Sequence, residues 1–228
     1  MRHVSQTFDC QDPAQRAEGL AAAQVALSAQ LCVVLPTDTV YGIGADAFSP
    51  RAVATLLGAK GRGRHKPPPV LIPRPSTLDG LATDVPDGAR KLAERHWPGP
   101  LTLVLRAQPS LTWDLGETRG TLALRMPDDQ VALELLSSTG PLAVSSANRT
   151  DVPTGPTAAD AREQLADAVE VYLEAGERPA AGGTPVPSTI VDYTVTPPRV
   201  VRQGALALDV LREDDPSILG MGEDAPAS

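Results

Sequence analysis

The sequence predicts a single α/β (α+β) domain built on a twisted, mixed β-sheet flanked by helices. Three observations lead there. Short apolar runs bounded by Pro, Gly and Ser read as buried strands. Ala- and Leu-rich stretches opened by a capping residue and a proline read as helices. The two kinds alternate, but not as strict strand–helix–strand units: the strands at 101–107 and 121–126 are separated by loop alone, so the sheet is read as mixed.

Asp12-Pro13 opens the first helix, with Asp as N-cap, and Ala-rich sequence carries it to about residue 30. "LCVVL" (31–35) is a short buried strand. "PTDTVYGIGA" then reads as a loop at the strand's end, neither hairpin nor helix start, offering three hydroxyls and two glycines. Ser49-Pro50 opens a helix to about Lys60. "KGRGRHKPPPVLIP" is a basic, Gly- and Pro-broken loop entering a strand near 70–72. A helix at 87–96 is stopped by "WPGP". After strands 101–107 and 121–126, Pro127 starts a helix to about residue 138, and 141–146 is again a strand. Thr157 caps a helix to about residue 165. Strands follow near 169–173, 188–193 and 199–202. The expected boundaries are a domain over 8–206 and a partly disordered C-terminal extension over 207–228, acidic and frayed beyond Glu213.

Hydrophobic residues make up 42% of the 228, enough for a sizeable core, but aromatics are only 3%. The core must therefore come from Leu, Val, Ile and Ala. With 20 basic against 28 acidic residues the net charge is −8, which argues against a protein whose main role is to coat nucleic acid. Cys10 and Cys32 stand far apart in no metal-like spacing, fitting a reducing, cytoplasmic setting. No signal peptide is read at the start, and no apolar run approaches the roughly 20 residues of a membrane span.

Lys60, Arg62, Arg64, His65 and Lys66 crowd one loop. A solvated basic loop is the plain reading; a polyphosphate site is the sharper one, favoured by Gly61 and Gly63, which let a ligand approach the backbone. Neither GxxxxGK[ST] nor GxGxxG is present, and "GIGAD" lacks the third glycine. Ser145, Ser146 and Asn148 of "VSSAN" read as a turn or as polar groups aimed from a strand end. Arg125 and Arg202 also end strands, and Ser188-Thr189 starts one. Strand ends are where open α/β sheets bind ligands. There is no GxSxG elbow, and His3, His65 and His96 lack triad companions. No metal-site motif is present, so any Mg²⁺ is expected to arrive with a phosphate ligand.

The order of the motifs is more informative than any one. "PTDTVYGIGADA", "AKGRGR", "WPGPLTLVL", "TLALRMP", "AVSSAN", "STIVDY" and "VVRQG" follow one another over about residues 8–206. This resembles the YrdC-like family of L-threonylcarbamoyladenylate synthases in its short, single-domain bacterial form. The resemblance implies a YrdC-like fold with a concave basic cavity. It implies an enzyme, a nucleotidyltransferase that turns L-threonine, bicarbonate or CO₂ and ATP into threonylcarbamoyl-AMP and pyrophosphate. That product serves the threonylcarbamoyl modification of adenosine 37 in tRNAs reading ANN codons. Mg²⁺ with ATP, a downstream threonylcarbamoyl-transfer machinery, weak RNA or tRNA binding, a cytoplasmic location and no membrane are implied as well.

Carried over by position, Thr39, Arg125 and Ser188 match threonine contacts of the family. Lys60 and Arg62 match its K-x-R pair, catalytic and phosphate-contacting. Thr121, Ser146, Asn148, Thr154 and Arg202 match nucleotide contacts. The chemistry suits such residues: a carbamate must attack an α-phosphate, anion on anion, so cationic positioning serves and no nucleophile is needed. The chain departs from the pattern where Pro68-Pro69-Val70 and Pro73 replace an Asn-Pro-Leu and a His, contacts that Arg64 or His65 are expected to supply instead. Thr150-Asp151 replaces Ser-Gly, Gln203 replaces a Pro, and no second domain is expected. The alternative is a paralogue of the same fold that binds RNA or transfers a carbamoyl group.

Overall fold

The computed structural model describes residues 5–180, 182 and 184–224. Its helices begin where side chains can receive the free N–H groups of a first turn. In α1 (Pro13–Ser28) the Asp12 carboxylate accepts from the amides of Ala14 and Gln15. In α2 (Pro50–Lys60) Ser49 accepts from Ala52, and Gly61 ends the helix at φ 64°, a left-handed position suited to glycine. The short α3 (Leu78–Leu81) was not expected; α4 (Asp87–His96) was. α5 (Gln130–Thr139) starts later than Pro127, because Asp129 is the residue that caps it, through Ala132. A Thr157–Asp160 capping box opens α6 (Ala158–Leu165).

The strands are β1 (Gln6–Asp9), β2 (Val33–Leu35), β3 (Gly42–Asp46), β4 (Val70–Leu71), β5 (Ala82–Thr83), β6 (Leu101–Ala107), β7 (Thr121–Arg125), β8 (Leu142–Ser146), β9 (Val171–Glu174), β10 (Thr189–Asp192) and β11 (Arg199–Arg202). They form one mixed sheet in the order β1-β9-β2-β3-β8-β4-β7-β6-β10-β11, with β5 hung on β6. The pairs β1–β9, β9–β2, β4–β7 and β6–β10 are parallel and the others antiparallel.

One expectation is corrected here. Residues 42–46 are not loop: β3 runs antiparallel beside β2, with Leu35 opposite Gly42 and Val34 opposite Ile43. The connection 36–41 is therefore a hairpin loop. The two glycines serve packing, since a Cβ on Gly42 would lie 2.5 Å from Val144 Cγ1 and one on Gly44 3.1 Å from Leu35 Cδ2. β1, largely exposed, carried no apolar signal and was missed.

Side-chain alternation builds two layers. Val33, Leu35, Leu142, Val144, Val171 and Leu173 pack with Ala23 and Leu27 of α1 and Val131, Leu135 and Leu136 of α5. Their neighbours Val34, Ala143 and Tyr172 face the opposite core, shared with α2, α4 and α6. That second core runs on under Leu101, Leu103, Leu105, Leu122, Leu124 and Val191. On the first face, α1 and α5 cover only one end of the sheet. Over β7, β6 and β10 that face is instead the floor of a cavity, onto which Thr102, Val104, Thr121, Ala123, Arg125 and Ile190 open.

Beyond residue 206 the chain forms α7 (Leu208–Asp214), with Leu211 and Ile218 buried in the large core. The stretch past Glu213, expected to be frayed, is held through Leu219. The Tyr193 hydroxyl donates to Asp215, and Val200 N donates to Leu219 O. Residues 225–228 of the expected disordered extension lie outside the described residues. Among the described residues no helix is long and apolar enough to cross a membrane.

Candidate active site

The cavity holds about 650 Å³, within the range of small-molecule sites, roughly 300–1,000 Å³. Its rim comes from the 36–41 loop, the 62–69 loop, the end of β8 and the segment before β10. Three arginines line it, Arg62, Arg125 and Arg202, and no carboxylate does so among the described residues.

Arg125, the last residue of β7, is buried. Its Nε donates to Gly99 O at 3.0 Å, Nη1 to Thr39 Oγ1 at 2.9 Å and Nη2 to Asp38 Oδ1 at 2.5 Å. Burial holds its pKa below the usual arginine value, opposed by Asp38. The Thr37 hydroxyl gives its proton to Val40 O at 2.6 Å. Its oxygen accepts from the backbone N–H groups of Thr39 and Val40, both at 3.2 Å, and lies 3.1 Å from the Thr39 hydroxyl. With Arg125 donating to it, Thr39 Oγ1 keeps one lone pair for a ligand.

Arg62 projects from the end of α2. Nε donates to Lys66 O at 2.6 Å and Nη1 to Ser145 Oγ at 3.1 Å. It has no carboxylate partner among the described residues, and burial lowers its pKa. Arg202, in β11, donates through Nε and Nη2 to Ser188 O at 3.0 and 2.8 Å, and through Nη2 to Ser188 Oγ at 2.9 Å. Its pKa falls through burial and then through repulsion by Arg125 and Arg62, so the three guanidiniums share one electrostatic environment. Arg62 and Arg202, partly desolvated and without a carboxylate partner among the described residues, favour an anionic ligand.

Of the residues singled out in the sequence, Thr39, Arg62, Thr121, Arg125, Ser146, Thr154, Ser188 and Arg202 meet in this one cavity. Lys60 and Asn148 do not line it. The buried Lys60 ammonium donates to the carbonyl oxygens of Ser146 and Asn148 and to Asn148 Oδ1, clamping the turn behind the wall. Burial and then Arg62 bring its pKa down to about 8. The Asn148 amide donates to Arg149 O and Val152 O within the same turn.

The expected stand-ins for the missing Asn and His contacts are not there. Arg64 is exposed and paired with Asp114 at 2.7 Å, and neither it nor His65 lines the cavity. Pro67, Pro68 and Pro69 form an apolar wall in that place. Thr37, Thr102 and Ser145 were not assigned to the site from sequence alone, although Thr102 was visible in "LTLVL" as the polar residue out of step with Leu101 and Leu103. Among the described residues no cluster of three His, Cys, Asp or Glu side chains could hold a metal ion.

The family model Sua5_yciO_yrdC, described as "Telomere recombination", matches residues 25–204. A Mycobacterium tuberculosis (strain ATCC 25618 / H37Rv) protein described as "Putative threonylcarbamoyl-AMP synthase" is 51% identical over 210 residues, 92% of this chain and 95% of its own length. The threonylcarbamoyl-AMP synthase of Pyrococcus abyssi is 36% identical over 182 residues, 79% of this chain and 52% of that protein. Among solved structures, P. abyssi Sua5 complexed with L-threonine superposes with a TM-score of 0.82 at 30% identity. That match covers 99% of this chain and 65% of the archaeal one, so the present chain spans about two thirds of that protein. E. coli YciO, TM-score 0.76 at 22% identity over 91% of this chain and 98% of its own, shares the fold.

Proposed function

The chain belongs to the Sua5, YciO and YrdC family, and from that membership we propose that it is a threonylcarbamoyl-AMP synthase. The amine of L-threonine takes up CO₂ or bicarbonate to give a carbamate, with loss of water in the latter case. A carbamate oxygen then bonds to the α-phosphorus of ATP, the bond to the β-phosphate oxygen breaks, and pyrophosphate leaves.

The observation that carries this reading is the set of Arg62, Arg125 and Arg202 around a cavity that no carboxylate lines among the described residues. Attacker and target are both anions. Fixed guanidiniums lower their repulsion and align them, which is where the barrier lies. In this reading Arg125, Thr39 and Ser188 hold threonine. Arg62 and Arg202, with Thr121, Ser146 and Thr154, receive the nucleotide. Lys60 and Asn148 act from behind, by fixing the 146–148 turn. Among the described residues the lining offers no carboxylate, so Mg²⁺ is taken as a companion of the ATP phosphates. A cytoplasmic location, and delivery of the product to a transferase acting on adenosine 37 of tRNA, belong to the same proposal.

The test is pyrophosphate release from the purified chain with ATP, Mg²⁺ and bicarbonate, with and without L-threonine, followed by mass analysis of the nucleotide. Threonine-dependent release with a threonylcarbamoyl-adenylate mass is the expected result. ATP binding by folded protein without threonine-dependent release overturns it, and RNA or another carbamoyl acceptor becomes the next ligand to try.

A further inference from the structure

Thr102 stands in β6 between Leu101 and Leu103, which enter the core while Thr102 opens onto the cavity floor. Its hydroxyl lies 2.8 Å from Ser188 Oγ, on the neighbouring parallel strand's leading edge. Both residues are buried, at 1% and 4% exposure.

The hydrogen count of this pair is incomplete. Ser188 Oγ already accepts from Arg202 Nη2. A hydroxyl has one proton and two lone pairs. One of the two hydroxyl protons serves the Thr102–Ser188 bond, and no described group accepts the other. A buried donor without an acceptor is costly, and both hydroxyls line the cavity, so the second proton is available to a ligand there. Arg202 polarises the pair further as a donor. The Thr102–Ser188 end of the site therefore donates, which suits an anionic oxygen.

We propose that Thr102, paired with Ser188, is a substrate-binding residue whose pair donates a hydrogen bond to an anionic oxygen of the amino-acid substrate, its carboxylate or the carbamate built on its nitrogen. This rests on the synthase reading above.

Thr102→Val removes the hydroxyl while keeping the branched shape and strand preference; Thr102→Ser keeps the hydroxyl. Steady-state kinetics with threonine and ATP varied separately, and a thermal melt of each variant, make the test. Thr102→Val leaves the Ser188 proton without its orienting partner and is expected to raise the threonine KM by roughly three- to tenfold, part of the effect of one hydrogen bond to a charged group, with the ATP KM within about twofold. Thr102→Ser should restore the threonine KM. The double variant with Ser188→Ala should raise the threonine KM further than Ser188→Ala alone, because after that single change the Thr102 proton is still there for the ligand. If Thr102→Val does not fold, Thr102→Ala carries the same comparison. A wild-type threonine KM in the folded hydroxyl-less variant overturns the proposal, as does an equal rise in both KM values. No threonine-dependent turnover in the wild type would instead overturn the synthase reading and this inference with it.

Discussion

Arg125 Nη2 and Asp38 Oδ1 lie 2.5 Å apart at the edge of the cavity, tying the end of β7 to the loop after β2. The same carboxylate oxygen accepts from the backbone N of Asp128 at 2.9 Å, so the 125–128 segment is tied to the 36–41 loop twice. The pair holds the guanidinium with its other nitrogens on Thr39 and Gly99. Asp38→Ala would leave a buried cation without its counter-charge, and a loss of about 2–4 kcal/mol of stability is expected. Asp38→Asn keeps an acceptor oxygen and should lose less. Urea unfolding of both variants checks this; wild-type stability in Asp38→Ala would show that the pair holds nothing in place.

Arg125→Lys tests the fork itself. A lysine supplies a point charge but cannot reach Gly99, Thr39 and Asp38 at once in the planar pattern seen here. The threonine KM should rise by roughly a hundredfold with little change in ATP affinity, matching the loss of one bidentate carboxylate contact. A variant with wild-type threonine dependence would remove Arg125 from the threonine site.

Lys60 gives a pH dependence. Its ammonium meets three carbonyl oxygens, and a neutral amine has only two N–H groups to offer them. With its pKa lowered to about 8, chiefly by burial, the clamp on the 146–148 turn is lost as pH rises through that value, and turnover should fall. Stability from this group runs the other way. The folded value lies below the unfolded one, so between the two the unfolded chain binds more protons, and folding gains as pH rises from about 8 towards the ordinary lysine value. Activity that falls over that window while the melting temperature does not is the expected pair of curves. Lys60→Met should have low turnover and no alkaline limb of this origin; a wild-type rate flat to about pH 10 would show that the charge is not needed.

Among the described residues Arg62 has neutral partners only, so its charge is available to a ligand. Arg62→Ala should weaken ATP binding by more than tenfold, the loss of a charge-assisted hydrogen bond in a partly desolvated site. Threonine binding measured without nucleotide should hardly change. Calorimetric titration with each ligand separates the two, and an equal loss of both would mean that Arg62 supports the cavity wall rather than the phosphates.

Gly42→Ala addresses the sheet beneath the site. The added methyl would stand 2.5 Å from Val144 Cγ1, and β3 and β8 would have to part or Val144 turn. Overpacking of this kind costs about 1–3 kcal/mol. A thermal melt with an unchanged midpoint would show that Val144 moves freely.

The sequence by itself determined the class of fold and most of its elements, because those signals are local. Asp12, Ser49 and Thr157 cap the helices they were expected to cap, and apolar runs such as 101–107 and 199–202 became strands with the same bounds. It also named most of the cavity's polar residues, through the order of motifs shared with a family. Tertiary structure decided the rest. Whether "GIGAD" is loop or strand depends on Val144 and Leu35 pressing against its glycines, a contact no local pattern encodes. Chain order could not tell that Arg62 would face the cavity while Lys60, two residues earlier, turned to hold the 146–148 turn. Nor could it tell that Arg64 would pair with Asp114, fifty residues away. Charges and hydroxyls far apart in sequence acquire roles only from the partners that folding brings within hydrogen-bonding reach, and the sheet face left open beside α1 and α5 determines which of them a ligand can meet.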